Sequence, residues 1–454
     1  MNEKIIYIVH CVDTEGPLYE SLEATFQRID AAFGLRYAPS FEQLNRLKKG
    51  LDIPENLRDI VMEFISDDRL NYNKTWAHVD NMLDEMMSEE WRNSLKDDFG
   101  SGYIFNWFIL DHIGYDINPR RRALGYHVIY DHYRDKLKEF NQVKDRLYWH
   151  YHPLSFFNEA HKTSNNFSYS NNHIQIINRR IIDQMDFPVA YRPGCHVERP
   201  DINLFLELWI PLDYGNQGCI ESVKDKNQQD ISGGRYGDWR RATDQWEVYH
   251  PDFYDYQKKG QMKRYIARCL NLNSRLREIT KEEIEKAFIR ANVYNPTILS
   301  VTNHDEREMR PYIKWFMDNI REIQKLYPEV KIMHTNAVDA IRFSLKMKPI
   351  SAASLHFKWT NNRLDIYSDK EIWGTQPWFC FKTKDKRYIH ENLDFHDNNY
   401  WSYIFDEDTI TLDRIESIGI AANDAYFNTS VYKLFPEKDL ERTDSKYLNI
   451  LSEL

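Results

Sequence analysis

Paired cysteines are missing from this sequence. Its five cysteines, Cys11, Cys195, Cys219, Cys269 and Cys380, form no C-x-x-C motif, and their odd number argues against a disulfide framework. A reducing, cytoplasmic setting is the expectation. A long hydrophobic run is missing too: the apolar stretch at residues 5–9 is broken by His10 and Asp13, too short for a signal-peptide core or a membrane span. No basic domain emerges. With 60 lysines and arginines against 70 acids, a net charge of −10 and a pI near 5.9, the chain lacks the cationic surface that nucleic acid or an anionic membrane requires. Internal repeats, heptads and low-complexity segments are also absent.

What is present is enough apolar material for a sizeable core. The chain has 454 residues, 42% hydrophobic and 14% aromatic, which predicts two or three domains. "KIIYIVHCV" (residues 4–12) is short, β-branched and closed by polar residues, so it predicts a buried strand. "YIFNWFIL" (103–110) and "RLYWHYHPL" (146–154) predict further strands, with a helix over 122–140 between them. The alternation continues through a helix at "INRRIIDQM", a strand at "VAYRPG", a helix at "INLFLELWI" and a strand at "WIPLDYG". Thr280 and Glu283 form a capping box for another helix, followed by the strand "PTILSVTNHD" and one more helix–strand unit. Residues 1–345 therefore predict a distorted (β/α) barrel, with a long polar loop over 215–239 inside an insertion at 215–260. From 346 to 454 short alternating runs separated by Asn, Asp and Lys turns predict a separate β-sandwich-like domain.

In parallel β/α folds, chemistry gathers where the strands deliver their C-terminal ends. Four such ends carry reactive groups: Asp13 and Glu15, His150 and His152, Arg192, and His304 with Asp305. His150 and His152 alternate along a strand and so share a face. Two imidazoles and a carboxylate suit one divalent metal ion, zinc foremost, and a second carboxylate can take a proton from water. On this reading Glu15 is the metal ligand, Asp13 the base, His304 the general acid and Arg192 the group that orients Asp13 or steadies negative charge. The one-residue spacing of Asp13 and Glu15 does not by itself assign the two roles. Each residue alone has a plainer reading as a turn cap, an ion-pair partner or a buried histidine. His10, His78, His112, His127, His132, His161, His173 and His196 are assigned structural places, and Cys11 and Cys195 packing ones.

With those strand ends in order, the chain resembles the polysaccharide deacetylase (NodB-homology, carbohydrate esterase family 4) group over roughly residues 4–345. "VDTEG" resembles the motif of base and acidic metal ligand, "HYHPL" the two-histidine motif, "YRPG" the arginine motif and "SVTNHD" the motif of the catalytic acid. The histidines depart from the commoner arrangement, in which three residues separate them. "LDYGN", with Asp213, is similar to the segment that closes the arginine motif, and "YGDWRRATDQW", with Asp238 and Trp239, stands where a tryptophan motif is expected. The resemblance implies removal of an N-acetyl group from a sugar in O-antigen or capsule assembly, with Asp213, Asp238 and Trp239 meeting substrate. Two other readings stay open: a catalytically silent barrel that binds glycan or assembles partner enzymes, and an amidohydrolase for a non-sugar amide. Trp359, Trp373, Trp378 and Trp401 are candidates for stacking on sugar rings.

Overall fold

The computed structural model describes residues 3–156, 158, 167–220, 222–230 and 236–436. His161, residues 221 and 231–235 of the expected long loop, and residues 437–454 of the expected C-terminal domain lie outside them.

The core is a ten-stranded, largely parallel sheet. Its strands are β1 (Lys4–Thr14), β2 (Phe105–Leu110), β3 (Arg146–Tyr151), β4 (Ala190–Pro193), β5 (Leu212–Asn216), β6 (Val248–Tyr249), β7 (Tyr265–Arg268), β8 (Leu270–Asn271), β9 (Thr297–His304) and β10 (Val330–His334). Pairing runs β6-β7-β5-β4-β3-β2-β1-β9-β8, and β10 joins β1. The first half of β1 pairs with β10 and its second half with β2, while β9 lies along its other edge. Strand β1 is thus covered on both edges and, from Ile8 to Thr14, buried on both faces, which explains its unbroken apolar run. Only the β6–β7 pairing is antiparallel. The expected barrel-like core is present, as a sheet whose pairing path ends at β6 and β8.

Between β1 and β2 the chain forms six α-helices and one short 3-10 helix from Leu22 to Ser94, a block that strand–helix alternation did not anticipate. The helix expected over 122–140 covers only Val128–Glu139. Residues 122–127 are held otherwise: Gly125 sits at φ 142°, its N–H donates to the His112 carbonyl, and Arg122 reaches Glu15 instead of continuing a helix. The helix Asn172–Arg179 continues as a wider turn over Arg180–Gln184 and stops at Met185, which has φ 54°. Thr280 caps the helix Lys281–Asn292 by accepting from the Glu283 N–H, as the capping signature requires.

The C-terminal part holds two four-stranded antiparallel sheets. One runs β11 (Leu355–Thr360), β12 (Arg363–Ser368), β16 (Tyr400–Ile404), β15 (Asp394–Asp397); the other runs β14 (Tyr388–Glu391), β13 (Trp378–Thr383), β17 (Ile415–Asn423), β18 (Thr429–Leu434). Trp401, Phe379, Ile418 and Ile420 share the core between the sheets. Trp378, on β13, packs instead with Ile181, Ile182 and Leu206 of the barrel helices and donates to Asn178 Oδ1 at 2.9 Å. Trp373, Trp378 and Trp401 are buried, so none offers a ring face to a sugar. No helix among the described residues is long and apolar enough to cross a membrane.

Candidate metal centre and active site

Parallel register assembles the site. Asp13 is the register partner of His304 across β1 and β9, and His150 is the partner of Arg192 across β3 and β4. Four separate strand ends thereby meet over a single cavity, whose wall includes Asp13, Glu15, His150, His152 and His304.

The two carboxylates are held differently. Both oxygens of Asp13 are occupied by Arg192, whose Nε and Nη2 donate at 2.7 and 3.0 Å. Arg192 is fully buried and spends its remaining nitrogen on the Tyr214 carbonyl at 2.6 Å. Burial pushes the Asp13 carboxyl up, but Arg192, with His150, more than reverses this and keeps it well below the usual carboxylate range. Glu15 is split. Its Oε2 takes Arg122 Nη2 at 2.5 Å, while Oε1 lies 3.7 Å from His152 Nε2 and 3.9 Å from His304 Nε2. One oxygen is therefore anchored and the other faces imidazoles.

A backbone carbonyl determines the tautomer of His150. His150 Nδ1 lies 3.0 Å from the Arg192 carbonyl, an acceptor, so Nδ1 carries the proton and Nε2 presents a lone pair. That Nε2 is 3.1 Å from His152 Nε2. Two nitrogens on one tetrahedral ion, each at about 2.0–2.1 Å, stand about 3.4 Å apart. Burial lowers both imidazoles, His152 to about 3, so both are neutral, as ligands must be. Glu15, His150 and His152 place one ligand atom each within 4.8 Å of one another, and this group can hold a metal ion.

The loop carrying Glu15 is clamped from below. Asp305 accepts from the backbone N–H of Glu15 at 2.8 Å and of Gly16 at 3.1 and 3.0 Å, and Tyr133 donates to it at 2.8 Å. Gly16 sits at φ 70°, where a side chain would be strained, and this turn presents both N–H groups to one carboxylate. Burial raises the Asp305 carboxyl to about 7 against these donors. His112 adds a bond to the Glu15 carbonyl at 3.2 Å. Gly194, in "YRPG", lies against His152, and a Cβ there would meet the ring at 2.3 Å.

Compared with protein-family models and with curated proteins, the chain matches none.

Of the residues expected at the site, Asp13, Glu15, His150, His152, Arg192 and His304 come together. The three expected to meet substrate do not join the cavity wall. Asp213 is fully buried and ion-paired with Arg264 at 3.0 Å. Asp238 pairs with the exposed Arg240 at 2.9 Å. Trp239 has no exposed surface and donates to the His196 carbonyl at 2.8 Å, so its indole is part of the core. Two groups given structural places do border the cavity: His196 and Cys195, in a turn with both residues at positive φ. Apart from Arg192, the site's arginines carried no expectation. Arg28, Arg69, Arg120, Arg122, Arg275 and Arg307 all line the cavity. Their only sequence signal was the run of three arginines at 120–122.

Proposed function

We propose that this protein is a metal-dependent hydrolase that removes an N-acetyl group from a sugar, in the assembly of a surface polysaccharide such as O-antigen or capsule. The observation that carries the reading is the convergence of Glu15 Oε1 with two imidazole Nε2 atoms, beside a carboxylate locked by an arginine. The motif resemblance supplies the reaction class and the sugar. Glu15, His150 and His152 would hold the ion, and a zinc bound there would supply Lewis acidity to the amide carbonyl and to water.

The chain's own groups do the rest. Asp13 takes the proton of the attacking water, and Arg192 fixes the direction of its carboxylate and keeps it ionised. His304 Nε2, 3.8 Å from Asp13 Oδ2 and less buried than the other histidines of the site, gives a proton to the departing amine. Breaking the C–N bond then yields acetate and the free amino sugar.

The test is acetate release from N-acetylated sugars by zinc-loaded protein, with small non-sugar amides in parallel. Release from the sugars that disappears in Asp13→Asn supports the reading; faster release from the small amides replaces the sugar with another amide. The silent-barrel reading draws on the double engagement of Asp13 by Arg192, which weakens it as a base. It predicts sugar binding without acetate.

A further inference from the structure

The cavity wall beside the metal ligands is built of arginines with too few acids to match them. Arg28 Nη1 lies 2.6 Å and Arg120 Nη2 3.2 Å from one carboxylate, Glu20. Arg122 Nη1 lies 2.9 Å and Arg307 Nη1 3.4 Å from another, Glu306. Arg122 Nη2 also lies 2.5 Å from Glu15 Oε2. Four guanidinium groups therefore share three carboxylates, Glu15, Glu20 and Glu306, and every one of the four side chains is at most 14% exposed. Arg69 and Arg275, further along the wall, have acids of their own in Glu278 and Asp230.

Buried cations are ordinarily paired one for one, because an unmatched charge out of water is costly. Here Arg120 Nε and Arg122 Nε find no acceptor among the described residues. Burial lowers the Arg120 guanidinium, Glu20 opposes this, and the neighbouring Arg28 and Arg122 lower it further. Planar guanidinium groups that converge on one space match the oxygens of phosphate and carboxylate. An overall charge of −10 makes this local surplus of cations more pointed.

We propose that the substrate carries an oxyanion, a phosphate or a carboxylate, on the same molecule as the N-acyl group, and that Arg28, Arg120, Arg122 and Arg307 hold it. This rests on reading the cavity as the acyl-sugar site. The arginines then act as a specificity filter: a neutral N-acetyl sugar leaves them unmatched, whereas an anionic one completes the pairing.

The experiment is calorimetric titration of the full-length, zinc-loaded protein with N-acetylglucosamine, its 1-phosphate and its uronic acid. At least one anionic sugar is expected to bind about tenfold or more tighter than the neutral sugar, a preference that shrinks at high salt. The 1-phosphate and the uronic acid compared with each other identify which oxyanion the site takes. Arg28→Gln and Arg307→Gln should each reduce the preference about tenfold. The comparison of ligands and of salt on the wild type needs no variant to fold. Equal affinity for all three sugars would overturn the proposal. Acetate release from the neutral sugar at the rate of the anionic ones would also overturn it while leaving the hydrolase reading intact. Tight anionic-sugar binding without any acetate would sustain it and remove the hydrolase.

Discussion

Replacing Gly194 by alanine tests whether the site is held as the structure places it. Gly194 follows β4 and is buried against β3. A Cβ added there would lie 2.3 Å from His152 Cδ2, 2.5 Å from its Cγ and 2.7 Å from the Tyr151 carbonyl oxygen. Carbon atoms in contact need about 3.5 Å, so the ring or the backbone must retreat by about 1 Å. Gly194 is not among the glycines at positive φ, so the strain comes from contact and not from backbone torsion. A shift of that size exceeds the tolerance of about 0.2 Å on a metal–ligand distance. Zinc affinity should fall by about 100-fold or more, at the upper end of what supporting residues cost and beyond it. Overpacking should also cost about 1–3 kcal/mol of stability. Competition against a chelator reads the affinity, and thermal melting in excess chelator reads the stability without the metal. A Gly194→Ala protein with wild-type zinc affinity would refute the placement of His152 as a ligand.

Other variants separate the remaining roles. Asp13→Asn should retain zinc yet lower acetate release by about 100- to 10,000-fold, measured in a coupled acetate assay. Arg192→Met leaves the Asp13 charge buried and unpaired, so denaturant titration should show a loss of about 3–5 kcal/mol. Trp378→Ala should cost about 3–5 kcal/mol by denaturant titration without altering sugar affinity, because the indole is core. Glu20 is pushed up by burial but brought below its ordinary value by Arg28 and Arg120. It therefore stabilises the fold above its unfolded pKa of about 4.3, and that contribution is lost as pH falls below it. Denaturation between about pH 6 and about pH 3 should show Glu20→Gln losing less stability than the wild type.

The strands were legible because each is a short β-branched or aromatic run closed by polar residues, and parallel pairing buries both faces. Their reactive ends were legible for the same reason, since a fold that aligns strand ends gathers whatever those ends carry. The one-residue spacing of Asp13 and Glu15 did not by itself separate their roles. What distinguishes them is tertiary: Arg192 occupies both Asp13 oxygens, whereas Arg122 takes only one of Glu15. Arg122 was hidden inside an apparent helix, because the helical pattern of 128–139 runs back into it and nothing local marks its partners Glu15 and Glu306. His196 escaped because the turn that brings it to the cavity uses positive φ at Cys195 and His196, where no glycine advertises it. Asp238 and Trp239 looked like a sugar-facing pair, yet an acid beside an indole reads the same whether the indole faces solvent or core. The helices from Leu22 to Ser94 are short, several of them one or two turns, and leave little periodicity to detect.

The central claim is that Glu15, His150 and His152 form one metal site. Elemental analysis of the purified protein, beside Glu15→Ala and His152→Ala, tests it most directly. The account predicts close to one tightly held divalent ion per chain in the wild type and its loss in both variants. A wild type without metal that also takes up no added zinc, or variants that retain the ion, would contradict it.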